Sequence, residues 1–88
     1  MDVFYELAFK HLEDEIEDAC EYLRESDEAD ADGKEYLAHG LHRVAMDEYS
    51  HAEFLRSYLM SKGHYQHYEK HDELEKHWHK LREKLRLE

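Results

Sequence analysis

The sequence predicts an all-α protein, an antiparallel two-helix hairpin followed by a shorter C-terminal helix, which pairs with a second copy to form a four-helix bundle. Proline is absent and glycine occurs only three times, so little interrupts helix formation. Apolar residues recur at the three-and-four spacing of amphipathic helices. A chain of 88 residues buries only about 60% of its unfolded surface, which favours a partner.

The first helix is predicted over residues 2–27, because apolar residues recur on one face of that segment. The following run, residues 28–33, is rich in turn formers and ends at Gly33, so it is predicted to be the hairpin turn. The apolar positions of the first helix are Phe4, Ala8, Leu12, Ile16, Ala19 and Leu23.

The second helix is predicted over residues 34–62 and ends at Gly63, a typical C-terminal cap. A third helix is predicted over residues 65–86. Its stripe is partly histidine, so we expect an interface helix rather than a strong core helix. The stripe positions are Leu37, Leu41, Val44, Ala52, Leu55 and Leu59 in the second helix, and His67, His71, Leu74, Trp78, Leu81 and Leu85 in the third.

The composition excludes several classes of function. Twelve Lys and Arg against 23 Asp and Glu give a net charge of −11, which opposes binding to nucleic acid. The single cysteine, Cys20, excludes an intrachain disulfide and a multi-thiolate metal site within one chain. The sequence shows neither a signal peptide nor a membrane span, so we expect a cytoplasmic protein with no membrane partner.

Ionisable residues interrupt the apolar faces of both long helices. Glu48 and His51 occupy such positions in the second helix, and His11, Glu15 and Tyr22 occupy them in the first. Residues at i and i+3 share one helix face, so the Glu-x-x-His sequence of Glu48 and His51 can offer one oxygen and one nitrogen to a single metal ion. Counting from the turn places the carboxylates of the two helices nearly level.

Each of these residues also has an ordinary interpretation. Glu15 lies in an acidic run and could be a solvated glutamate, while Glu48 and His51 could form a surface ion pair. Tyr22 could be a core tyrosine bonded to a carboxylate. A buried lone carboxylate or imidazole, however, costs several kcal/mol unless it is paired or bound to a metal.

Two segments, 15–22 and 45–55, resemble the iron-binding helices of rubrerythrin-type and ferritin-like proteins, and are most similar to the half-length encapsulated ferritins. The resemblance lies in a tyrosine seven residues after Glu15 and in the Glu-x-x-His-Ala sequence from Glu48 to Ala52. It implies a homodimer with a di-iron centre at its interface, held by Glu15, Glu48 and His51 of both copies. It also implies a ring-like assembly of dimers, and it makes an encapsulin shell a candidate partner and an encapsulin compartment a candidate location.

The sequence therefore predicts a ferroxidase that oxidises Fe(II) for iron storage or detoxification, with Tyr22 beside the metals. Two alternatives stay open: a rubrerythrin-like protein that reduces peroxide, and a non-catalytic metal-binding or structural dimer. The same ligands also suit manganese. A secondary metal site is considered at His64, His67 and His71, the alternative being a solvated or interface cluster.

Overall fold

The computed structural model describes residues 3–87, and within this range it contains helices and no strand. The helices are α1, Val3–Ala31; α2, Glu35–Ser61; and α3, His71–Lys84, with one turn of 3₁₀ helix at Tyr65–His67 before α3. The all-α prediction is confirmed, since α1 and α2 form a long hairpin against which the C-terminal segment packs. None of the helices in the described range is long and apolar enough to span a membrane.

The hairpin turn is shorter than predicted, because α1 continues through residues 28–31. The end of α1 is set by Gly33, whose φ of 78° is the left-handed conformation that glycine adopts freely. The backbone NH of Lys34 donates to the Ala29 carbonyl and that of Gly33 to the Asp30 carbonyl, a Schellman cap. The chain thus reverses its direction within the three residues that separate α1 from α2. The predicted start of the helix at residue 2 lies outside the described residues.

The predicted continuous helix over residues 65–86 is wrong, because the backbone at Tyr68 is extended. The Tyr68 hydroxyl donates a 2.6 Å hydrogen bond to the Glu13 carboxylate, and its ring stacks on Phe9 at a centroid distance of 4.0 Å. These contacts with α1 outweigh the local helix propensity. A continuous helix is therefore replaced by a 3₁₀ turn, an extended residue and α3.

The expectation that the third helix lies at an interface also needs correction. Leu74, Trp78 and Leu81 are buried against the hairpin of the same chain. Trp78 stacks on Tyr49 of α2 at 4.9 Å, and Arg56 of α2 forms a two-bond salt bridge with Glu75 at 2.8 and 3.1 Å. The helix α3 is therefore part of the chain's own core.

The two long helices approach each other through small residues. Ala19 of α1 and Ala45 and Ala52 of α2 are completely buried, and such residues let helix backbones come close together. Between the helices, the Ser26 hydroxyl donates a 2.8 Å hydrogen bond to the Ala38 carbonyl. This bond sets the height at which the two antiparallel helices face each other.

One side of the hairpin is left uncovered by α3. The residues of α2 that contact α3 include Tyr49 and Arg56. Helical geometry places Leu37, Leu41, Val44 and Leu55, the exposed part of the apolar stripe of α2, roughly 60 to 140° away from them. Leu37 on this stripe is 51% exposed. We call this side the open face; its residues are His11, Glu15 and Tyr22 of α1 and Leu37, Leu41, Val44, Glu48, His51 and Leu55 of α2.

Replacing Trp78 by alanine should lower the free energy of unfolding by about 3 to 5 kcal/mol, because a large buried aromatic residue leaves a cavity. The measurement is urea unfolding followed by circular dichroism, with the exposed Lys76→Ala as control. A loss as small as that of the control would contradict the placement of α3 in the core.

Candidate metal centre

Three of the predicted ligands meet at the middle of the open face. Glu15, Glu48 and His51 each offer one ligand atom, and these atoms all lie within 4.8 Å of one another. Glu15 lies eleven residues before Ser26, and Glu48 lies ten residues after Ala38. The hydrogen bond between Ser26 and Ala38 therefore places the two carboxylates level across the hairpin.

Glu15 is the member of the group that has a buried carboxylate oxygen. Its side chain is 22% exposed, but its Oε2 atom is buried and has no hydrogen-bond partner. Nδ1 of His51 lies 3.5 Å from this oxygen, at ion-pair distance. A buried carboxylate oxygen without a partner is costly, so this atom is suited to a cation or a proton.

Glu48 is the residue of this group whose pKa departs from its ordinary value. Its pKa is raised from the ordinary 4.5 to about 7. The causes are, in order, a hydrogen bond with the Glu15 side chain, burial, and the negative charge of Glu15, while His51 acts in the opposite direction. Two carboxyl groups this close resist being ionised together. Glu48 therefore still binds a proton near neutral pH, and a metal ion would displace that proton.

His51 supplies the nitrogen of the group from the solvent side. It follows Glu48 by three residues on the uninterrupted helix α2 and therefore lies on the same face. Its side chain is 60% exposed. In the single chain, the hairpin therefore covers one side of the group, and the side that carries His51 is exposed to solvent.

The structure does not bring Tyr22 into this group. Tyr22 is partly buried and packs against the core. Seven residues correspond to about 10 Å along the helix, so Tyr22 lies two turns from Glu15, on the same side of α1. The prediction that it acts beside a metal stays a prediction.

Asp18 is a residue that the sequence analysis did not associate with the site. Its negative charge contributes to the raised pKa of Glu48, although its side chain is exposed. The available signal was its position three residues after Glu15, which places the two side chains on neighbouring parts of one helix face.

His64, His67 and His71, the predicted secondary site, do not form a comparable group among the described residues. The His64 ring packs on Tyr5 at 4.1 Å, and His71 lies edge-on to Tyr65 and 3.2 Å from the Asp72 carboxylate. His67 is exposed in the 3₁₀ turn. The extended residue Tyr68 separates His67 from His71, and this break disperses the predicted cluster.

Comparison of the chain with protein-family models, with curated proteins and with solved structures gave no match.

The donor set determines which ions fit. Two carboxylates and one imidazole suit Fe(II), Mn(II) and other first-row divalent ions, whereas soft ions prefer thiolates. Three protein ligands also leave coordination positions unfilled for most of these ions. The trio on one chain would therefore fill only part of an ion's coordination sphere, and the buried Oε2 of Glu15 within it accepts no hydrogen bond.

Replacing Glu48 by glutamine should flatten the pH dependence of stability in metal-free protein. The pKa of Glu48 is higher in the folded chain, so its stabilising contribution is complete below its ordinary value of 4.5 and is lost as pH rises through about 7. Wild type should therefore lose stability relative to Glu48→Gln between pH 4.5 and about 8. Urea unfolding in the presence of a chelator measures this, with the exposed Glu73→Gln as control. Parallel profiles for wild type and Glu48→Gln would contradict the raised pKa of Glu48.

Proposed function

We propose that this chain is a ferroxidase of the half-length ferritin type, in which two copies join through their open faces and oxidise Fe(II) at a shared di-iron site. The observation that carries the proposal is the buried Oε2 of Glu15, which accepts no hydrogen bond and lies beside Glu48 and His51 at the middle of the open face. A metal ion would bind to this oxygen and would also replace the proton held by Glu48.

The surroundings of the trio support a second copy as the partner. Leu37 is 51% exposed, and Leu41, Val44 and Leu55 are partly exposed along the same stripe of α2. A contiguous apolar stripe of this kind is typical of an interface. A twofold axis through the stripe brings together four glutamates and two histidines, enough for two ions. The bundle then has four long helices, with each α3 on the outside.

The roles of the side chains follow from their chemistry. Glu15 and Glu48, once Glu48 has lost its proton, would bind the Fe(II) ions, which are the substrate, and the His51 nitrogens would complete the set. Carboxylates are hard donors and favour the ferric product over the ferrous one. Each of two Fe(II) ions gives up one electron, and a dioxygen molecule that takes both electrons and two protons leaves as hydrogen peroxide. Deposition of a mineral would require a shell around the dimer, because the hairpin encloses no storage cavity.

Replacing Glu15 or His51 by alanine should reduce the rate of Fe(II) oxidation by about 100-fold or more, since a missing ligand leaves the ions incompletely bound. The measurement is oxygen consumption and ferric absorbance after addition of Fe(II), together with metal content per chain. His67→Ala is the matched control, because His67 is an exposed histidine outside the group. Wild type that binds about one iron per chain but oxidises none would leave a metal-binding dimer and contradict the ferroxidase.

Replacing Leu37 by glutamate should weaken the dimer and the Fe(II) oxidation together, because it introduces a charge into the open face. Its 51% exposure means that the isolated chain should still fold. Phe54→Glu is the matched control, since Phe54 is 69% exposed but lies on the outer side of α2. Analytical ultracentrifugation measures the association. Full Fe(II) oxidation by a monomeric wild type would exclude a shared site, and a metal-free dimer of undiminished stability would favour a structural role.

A further inference from the structure

A groove between α1 and α3 lies on the side of the hairpin away from the candidate metal centre. Its α1 wall includes Glu13, Glu17 and Cys20, which helical spacing places roughly 140 to 160° around the helix from Glu15. We propose that this groove binds a free carboxylic acid with an unbranched apolar chain, of the fatty-acid class, whose carboxylate lies at Lys80. The groove contains none of the proposed metal ligands, and its occupation does not depend on the proposed function.

The groove has the size and the floor of a small-molecule site. It encloses about 350 Å³, which lies within the range of ligand pockets, about 300 to 1,000 Å³. Ile16 of α1 and Leu74 of α3 line it, and both side chains are almost completely buried in the core. The floor of the groove is therefore apolar. An apolar chain placed over these residues would be removed from water, which is favourable.

The two ends of the groove differ in charge. At one end, the Glu13 carboxylate accepts the hydrogen bond from Tyr68, the residue just before α3 is reached. At the other end, burial raises the pKa of the Cys20 thiol, and the positive charges of Lys80 and Lys84 act against that rise. The helices α1 and α3 therefore run in the same direction along the groove, from an acidic end at Glu13 to a basic end at Cys20.

The lysines at the basic end have no partner in the chain. Lys80 lines the groove and Lys84 follows it by one turn, and neither forms a hydrogen bond or an ion pair within residues 3–87. This is unexpected in a chain with a net charge of −11, where Arg56, for example, pairs with Glu75 at 2.8 Å. Two unpaired lysines beside an apolar floor are the complement of a carboxylate at the end of an apolar chain.

The other charges of the groove fix the orientation of this ligand. Glu17 lies one turn before Cys20, and Glu73 lies two turns before Lys80, so both carboxylates are nearer the acidic end. Lys70 also lines the groove, two residues after Tyr68, and offsets part of the negative charge there. A ligand carboxylate at the basic end thus meets uncompensated positive charge, whereas a ligand amine at the acidic end would meet charge that is partly neutralised.

Cys20 is the single cysteine of the chain and shows whether the groove is occupied. Full-length protein is alkylated with N-ethylmaleimide while decanoate is added at concentrations too low for micelles. Decanoate should slow the alkylation of Cys20 in a saturable way, because it covers the groove that the thiol lines. Isothermal titration calorimetry should show a single decanoate per chain. Decanol and decylammonium should give much less protection, since neither carries a negative charge.

A lysine variant tests the position of the carboxylate. Lys80→Ala should raise the decanoate concentration needed for half-maximal protection about tenfold, because it removes a hydrogen bond to a charged group. Lys76→Ala is the matched control, since Lys76 is an exposed lysine of α3 that does not line the groove. Each alkylation rate is divided by the rate of the same variant without decanoate, because Lys80 also acts on the thiol.

Three results would overturn the proposal: no protection by decanoate, equal protection by decanol, or equal weakening in Lys80→Ala and Lys76→Ala. Fe(II) oxidation separates the groove from the proposed function, and Glu15→Ala should bind decanoate as the wild type does. Decanoate binding by a wild type that oxidises no Fe(II) would contradict the ferroxidase alone. Fe(II) oxidation by a wild type that binds no decanoate would contradict the groove alone.

Discussion

The close antiparallel contact between α1 and α2 is the interaction on which the rest of the structure depends. Alanines at the contact allow the backbones to approach, and the hydrogen bond from Ser26 to the Ala38 carbonyl sets their relative height. From that height follows the facing position of Glu15 and Glu48. Sliding one helix by a single turn would move the carboxylates about 5 Å apart and disperse the group.

Folding covers the two sides of this hairpin unequally. On one side, α3 is held by the Tyr49–Trp78 stack and the Arg56–Glu75 salt bridge and completes a core within the chain. On the other side, an apolar stripe and two carboxyl groups remain together at the surface. The raised pKa of Glu48 reflects the cost of that proximity. Such a face combines two features that a metal-bridged dimer would stabilise, apolar area and uncompensated negative charge.

The sequence by itself determined the helical class, the two long helices, the glycine that ends α1 and the three residues of the candidate centre. These features depend on local periodicity and spacing, which a sequence carries directly. Only the tertiary structure decided that residues 28–31 remain helical, that Tyr68 breaks the third segment and that α3 belongs to the core. Those outcomes depend on contacts between distant residues, such as Tyr68 with Glu13, and on which helix face is covered. The tertiary structure also decided that His64, His67 and His71 do not form a cluster, and that the charge of Asp18 raises the pKa of Glu48. Both outcomes depend on distances between side chains, which are fixed only once the helices are packed.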